Sequence, residues 1–344
     1  MKPGCYTALI TPFDSAGELD QEGLEQLINF QIKNGITGIL ATGTTGESPT
    51  LKWKEHDNVI AQVAKHAKDK CLRIAGTGSN NTVEALEAVG HAAKKEIDAV
   101  LLVDPYYNGP SSLEIRREYY EVIAKKFPDV NIIPYIIPGR TGAQMLPQDL
   151  AILAKNFPNV SCVKEATGNL ENMKLTRKYC GKDFKIFSGD DALVYDVMTD
   201  PQIKVCGGIS VMSNIAPKFL TQMISKLNQG DTDGAMKLQV AMKPLLDLVT
   251  VTTQEDSEFG PVNCRARNPL PLKTLMQLLG MPSGPCRKPL GKMTPKGFQI
   301  LLDAAKSVQT NNPEIFEPIA SFFNVNIEER LTDAKFQEDL WYTY

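Results

Sequence analysis

The sequence predicts a (β/α)8 barrel, the TIM-barrel architecture, followed by a helical C-terminal extension and an acid-biased tail. Three observations carry that expectation. Eight short β-branched runs alternate with helix-periodic segments over about 210 residues, which favours a barrel over an open doubly wound sheet. The dinucleotide fingerprint GxGxxG is absent, and its nearest approach, "GTGSN" at 76–80, lacks the third glycine and reads as a plain turn. Polar and glycine-rich segments also gather behind the strands, at the ends where a barrel keeps its chemistry.

The strand runs, in order, are Tyr6–Pro12, Thr37–Thr42, Leu72–Thr77, Ala99–Val103, Asn131–Ile137, Val160–Glu165, Phe184–Ser188 and Val205–Val211. Between the first two, Leu24, Leu27, Ile28 and Ile32 recur at helical spacing, as Ala85, Ala88, Val89 and Ala92 do between the third and fourth. Asn81–Thr82 stands where a helix cap belongs, and Pro147 opens "PQDLAILAKNF" as a first-turn proline does. From about Ala216 onward Pro217–Gln229, Asp233–Leu248, Leu272–Leu279 and Thr294–Ser307 follow one another without strands, and "TTQEDSEFGPVNCRARNPLP" reads as a loop. The expected division is a barrel over 1–215, a helical region over 216–310 packed on it, and a tail over 311–344 forming a surface helix or a partly ordered end.

Composition narrows the function. A net charge of −3 with 22% charged residues supplies no basic field for nucleic acid and no polybasic membrane patch. Apolar runs such as Val100–Val103 are too short to span a bilayer. The opening "MKPGCYTALITPF" carries neither a secretory nor an Arg-rich transit pattern, so the expected location is cytoplasmic. Seven cysteines, none in a CxxC pair, point to reduced thiols. Three dispersed histidines leave little material for a metal site or a histidine-based triad.

Lys164 raises the chemical question, because it lies in the apolar run around Val160, Cys162 and Val163. Strand alternation sets Val160, Cys162 and Lys164 on one face, with Val163 and Glu165 on the other. If that face points into the barrel, desolvation lowers the amine's proton affinity, and a neutral amine attacks a carbonyl to form a Schiff base. A lysine paired with a carboxylate at the strand end is the alternative. Tyr135, on the preceding strand, offers a phenol for proton transfer or else a core ring. Thr44 and Thr45, between glycines, offer hydroxyls and amides to a small carboxylate, or simply form a turn. Arg140 follows a Pro-Gly turn, where it either forks onto a carboxylate or lies on the surface. The pair Tyr106–Tyr107 at a strand exit suits an interface or the core.

Together "GTTGES", "PYYNGP", "YIIPGRTG", "VKEATGNL", "SGDDA" and "GGISV" resemble the pyruvate-dependent class I aldolase superfamily, most closely its dihydrodipicolinate synthase family. The resemblance extends over roughly residues 4–307 and includes "NPLPLKTLMQLLG". It implies a lyase that joins pyruvate to L-aspartate 4-semialdehyde through an imine on Lys164, with no separate cofactor and no metal, in diaminopimelate and lysine biosynthesis. Tyr135, Thr45 and Tyr107 would form a proton relay supported by Thr44, with Tyr107 reaching in from a neighbouring subunit of a homotetramer or at least a homodimer. Thr45 and the backbone at Ile209 would hold the pyruvate carboxylate, and Arg140 that of the second substrate. In lysine-inhibited members the inhibitor sits at the dimer interface; the matching positions are Ser48, Trp53, His56, Asn80, Glu84 and Tyr106.

N-acetylneuraminate lyase and the 2-keto-3-deoxy sugar acid aldolases share the barrel, the lysine and the tyrosine. The Thr44–Thr45 pair, Arg140 and "KEATG" followed by "SGDDA" favour the synthase branch. A non-catalytic barrel serving as regulator or scaffold would need a broken relay, and every relay residue is present. Ile136 stands where the family usually has Asn after the tyrosine, and "TDPQIKV" at 199–205 departs from the usual length.

Overall fold

The computed structural model describes residues 1–342. Eight parallel strands close a barrel in sequence order: β1 (Gly4–Ala8), β2 (Gly38–Ala41), β3 (Leu72–Gly76), β4 (Ala99–Val103), β5 (Asn131–Ile136), β6 (Cys162–Glu165), β7 (Lys185–Ser188) and β8 (Gly207–Ser210). Pairing of β8 with β1 seals it, with Tyr6 in register with Ile209. Each strand overlaps its expected run, and β1 illustrates why several end early. Leu9 N–H still reaches the Leu40 carbonyl, but the Ile10 N–H is taken by the Asn214 side chain, so the ladder stops.

Strand alternation divides the apolar residues into two layers. Tyr6, Leu40, Ile74, Leu101, Ile133, Cys162, Phe187 and Ile209 fill the barrel, where the Tyr6 and Phe187 rings meet edge to face at 5.4 Å. Val163, Val100, Ile132 and Ile186 join the outer layer beneath the helices. Val160 also lies in that outer layer, ahead of β6, so it does not share the inward face of Cys162 and Lys164 as strand parity predicted.

The helices form where the apolar spacing places them. Helix α1 (Gln21–Lys33) starts at Asp20, whose carboxylate accepts from the Gly23 N–H, and it buries Leu24, Leu27 and Ile28. Helix α2 spans Trp53–His66, and α3 (Thr82–Lys94) is capped by Asn81. Such caps contribute about 1 kcal/mol each. Pro147 opens its helix, Pro147–Asn156. No helix among the described residues is long and apolar enough to cross a membrane.

Beyond residue 215 the structure departs from the expected division. Helix Pro217–Asn228 packs against β1 and β8 and completes the eighth β/α unit, so the barrel runs past that boundary. The segment read as a loop is an antiparallel ribbon, β9 (Thr250–Ser257) and β10 (Gly260–Arg267). Its β-branched run, residues 249–253, was the available signal. The acidic stretch after it and Pro261 masked the pattern, yet a two-stranded ribbon tolerates proline because both its edges are open.

The tail is built into the fold. Ile315, Phe316 and Ile319 are buried, while Phe322 and Phe323 lie 5.4 and 5.2 Å from the Phe30 ring of α1. Arg330 donates to the carbonyls of Leu278 and Gln277 at 2.6 Å each, and Trp341 stacks on Phe298 at 4.5 Å. The last two residues of the expected tail lie outside the described ones. The 199–205 stretch forms a turn that buries Ile203 and Val205, with Arg177 donating to the carbonyls of Ile203 and Lys204.

Candidate active site

Lys164 lies near the end of β6, in register with Tyr135 on β5 and Phe187 on β7. Its side chain is 4% exposed, and Nζ sits 4.3 Å from the centre of the Tyr135 ring. Burial lowers the amine from 10.5 to about 7; the Asp191 charge opposes the fall and Arg140 reinforces it. The salt-bridge alternative is not what the structure contains: no carboxylate pairs with Lys164 among the described residues. Room for the side chain comes from Gly189, where a Cβ would stand 3.0 Å from Lys164 Cε and 2.7 Å from the Ala166 Cβ.

Tyr135 is buried, which raises its phenol, against the Arg140 charge and the Thr44 hydroxyl. Thr44 and Thr45 follow β2. Thr45 Oγ1 accepts from Asn268 Nδ2 at 3.0 Å. Arg140 occupies the short turn Pro138–Thr141 and donates through Nη2 to the Asn268 carbonyl at 2.9 Å. Ile209 presents its backbone from β8 and buries its side chain in the barrel. A cavity of about 220 Å³ opens beside β5 and the loop after β2, lined by Thr44, Ser48, Leu101, Tyr106, Tyr135 and Arg140 among others, with Thr45 and Ile209 outside its lining. Lys164 lies behind that wall, against the ring of Tyr135.

Tyr107 is not brought into the cavity within one chain. It is 90% exposed and adopts a left-handed backbone (φ 79°), while its N–H donates to the Thr141 carbonyl. A tyrosine held in that conformation carries a cost of order 1–3 kcal/mol. Of the six interface positions, Ser48 and Tyr106 line the cavity. Trp53 and His56 contact at 5.2 Å between ring centres. His56 is buried, which lowers it to about 4, and its Nδ1 has no partner among the described residues. Glu84 accepts from Ser79 Oγ and its charge raises the Tyr106 phenol, itself lifted mainly by burial. Asn80 is exposed. Ile136 lies in the apolar layer under the helices, not on the face that carries Lys164.

Sequence reasoning missed four contributors. Asp191, within "SGDDA", accepts from the Val211 and Met212 N–H groups at 2.8 Å each, and its charge acts on the Lys164 amine against the effect of burial. Asn268 and Arg267 come from the end of the β9–β10 ribbon, where the sequence predicts a loop. Lys273, buried on the helix Leu270–Leu278, pairs with Glu47 at 2.7 Å and thereby holds the threonine loop. "NPLPLK" contained Asn268 and Lys273, but nothing local says that either reaches residues more than two hundred positions earlier.

The sequence model of the Dihydrodipicolinate synthetase family matches residues 1–307. The chain belongs to that family. A 4-hydroxy-tetrahydrodipicolinate synthase of Methanococcus maripaludis (strain C7) is 37% identical over 305 residues, covering 89% of this chain and 98% of the relative. The solved structure of the 4-hydroxy-tetrahydrodipicolinate synthase from Methylacidiphilum fumariolicum SolV superposes with a TM-score of 0.83 at 30% identity, over 92% of this chain and 99% of that one. The enzyme of Cyanidioschyzon merolae, solved with lysine bound, gives 0.80 at 35% identity, over 89% and 98%. Family membership makes the chain a carbon–carbon lyase of the class I aldolase type.

Proposed function

We propose that the chain condenses pyruvate with L-aspartate 4-semialdehyde, the reaction of a 4-hydroxy-tetrahydrodipicolinate synthase and the entry to diaminopimelate and lysine synthesis. The observation that carries this reading is the buried amine of Lys164, lowered to about 7 beside the Tyr135 ring, in a member of this family. Near neutral pH a substantial fraction of that amine is unprotonated and nucleophilic. It attacks the keto carbon of pyruvate, and the carbonyl oxygen departs as water to leave the imine. Loss of a methyl proton gives the enamine, whose terminal carbon bonds to the aldehyde carbon while the aldehyde oxygen takes a proton. The substrate's own amine then adds to the imine carbon, closes the ring and releases Lys164.

In this reading Tyr135 moves the protons, with Thr44 and Thr45 connecting it outward and Tyr107 of a second copy completing the relay. Thr45 and the Ile209 backbone hold the pyruvate carboxylate, and Arg140 meets that of the aldehyde. Tyr107, 90% exposed in a single chain although this reading needs it in the relay, supports an assembly of at least two copies. A cytoplasmic location accords with a pathway that uses small soluble substrates. The test is product formation from pyruvate and L-aspartate 4-semialdehyde beside N-acetylneuraminate cleavage. Condensation of the semialdehyde alone supports the synthase, and cleavage of the sugar acid in its place sinks it. A Tyr135→Phe variant should lose about 100-fold or more in kcat, as removal of a general acid–base does; a kcat within a few-fold of wild type would remove Tyr135 from the relay.

L-Lysine inhibition belongs to the same proposal. Its support is the lysine-bound Cyanidioschyzon merolae relative and the grouping of Ser48, Trp53, His56, Glu84 and Tyr106. Turnover should fall on adding L-lysine, and Trp53→Ala should blunt that fall without altering the uninhibited rate. Equal rates with and without L-lysine would dispose of it.

A further inference from the structure

The β9–β10 ribbon ends at Arg267 and Asn268, beside the turn that carries Arg140. Arg267 Nη1 donates to the Gly139 carbonyl at 3.1 Å, and Arg140 Nη2 donates to the Asn268 carbonyl at 2.9 Å. Each arginine therefore holds the main chain next to the other. Asn268 Nδ2 ties the same brace to Thr45 Oγ1.

This arrangement leaves donors over. A guanidinium carries five N–H groups, and each arginine uses one side-chain nitrogen on the brace. Arg267 Nε and Asn268 Oδ1 are buried with no partner among the described residues. Buried polar atoms left unpaired are costly and call for an explanation. Among the described residues the arginines in ion pairs are Arg73, Arg116 and Arg287, so Arg140, Arg265 and Arg267 have no carboxylate to balance them. They are close enough to act on one another: Arg140 is lowered chiefly by burial and further by the Arg267 and Arg265 charges. Arg140 lines the cavity and Arg267 is held on the adjacent Gly139, so two like charges without counter-ions meet at that edge; such a pair suits an anion that arrives from outside, and planar guanidiniums match a carboxylate in particular.

We propose that Arg267 is a second anion-reading residue of the acceptor subsite, acting with Arg140 on the carboxylate of the incoming aldehyde. The proposal rests on the reading that this aldehyde carries a carboxylate. It assigns the ribbon a role in substrate choice in addition to its structural one, because the ribbon's last residues bring the second guanidinium to the site.

The experiment compares succinate semialdehyde with butanal, which differ by the carboxylate, as competitors of L-aspartate 4-semialdehyde. They are tested on wild type, Arg267→Gln, Arg267→Met and Arg267→Lys, with borohydride trapping of the pyruvate imine in parallel. Arg267→Gln keeps a polar donor on a shorter side chain and loses the charge, whereas Arg267→Met loses both. Both neutral variants should lose about 10- to 100-fold of the preference for the charged competitor, the range for a charge-assisted hydrogen bond. Arg267→Lys should keep part of it, and trapping should be unchanged throughout. A wild-type preference in Arg267→Gln with loss only in Arg267→Met would reduce Arg267 to a brace and overturn the proposal. Wild type that forms no imine would instead bring down the functional reading, and this proposal with it.

Discussion

Lys164→Met is expected to abolish condensation while making the protein more stable. Turnover should fall by at least about 10⁴-fold, the scale on which removing a single nucleophile acts. Stability moves the other way because burial takes the amine from its ordinary 10.5 to about 7. Between those values the unfolded chain holds a proton that the folded chain does not, so wild-type stability rises with pH across that window. Below about pH 7 the burial cost is at full size, on the order of a few kcal/mol, and methionine removes it. Denaturant unfolding of both proteins at pH 7 and pH 10 measures this: the variant's advantage should shrink as pH rises. The same titration governs activity, so kcat/KM for pyruvate should climb about tenfold per pH unit below pH 7 and level off above it. A variant less stable than wild type at pH 7, or a pyruvate profile flat from pH 5.5 to 8, would contradict the neutral-amine account.

Lys273→Ala should cost about 3–5 kcal/mol, the penalty for breaking a buried ion pair from one side. Lys273 and Glu47 are 1% and 0% exposed and meet at 2.7 Å. Nζ also donates to the carbonyls of Thr11 and Pro285, and it lies 4.3 Å from the centre of the Phe13 ring. The second Glu47 oxygen accepts from the Arg287 N–H, and Glu47 itself has a left-handed backbone (φ 55°). The pair therefore anchors the loop two residues after Thr45 to the C-terminal region. Removing the lysine leaves a carboxylate buried without its cation, and the threonine loop should loosen with it. Activity should drop beyond the loss of folded protein, with the KM for pyruvate rising. Adding Glu47→Gln should restore part of the stability, since the stranded charge is then gone. Chemical denaturation of the single and double variants checks this, and a loss under 1 kcal/mol would place the loop's support elsewhere.

The barrel and the buried lysine were legible because both leave local marks. Strand–helix alternation repeats often enough to be counted, and a lysine in a β-branched run stands out against its neighbours. Tyr135 and Arg140 were legible through the motifs around them, which carry the strand ends that form the cavity. What local pattern could not reveal was reach. Asn268 touches Thr45 from 223 residues away, and Lys273 touches Glu47 from 226. Neither contact has a periodicity, because each depends on how the C-terminal region folds back over the barrel. The ribbon was hidden by its own polarity. Tyr107 shows the converse limit: the motif marks it, while a single chain leaves it facing outward.

The central claim is that Lys164 is the group that bonds pyruvate. Borohydride reduction in the presence of pyruvate, followed by mass mapping of peptides, tests it most directly. The account predicts one pyruvate-derived adduct, on Lys164, absent without pyruvate and absent from Lys164→Met. An unlabelled protein, or an adduct on another lysine that persists in Lys164→Met, would contradict it.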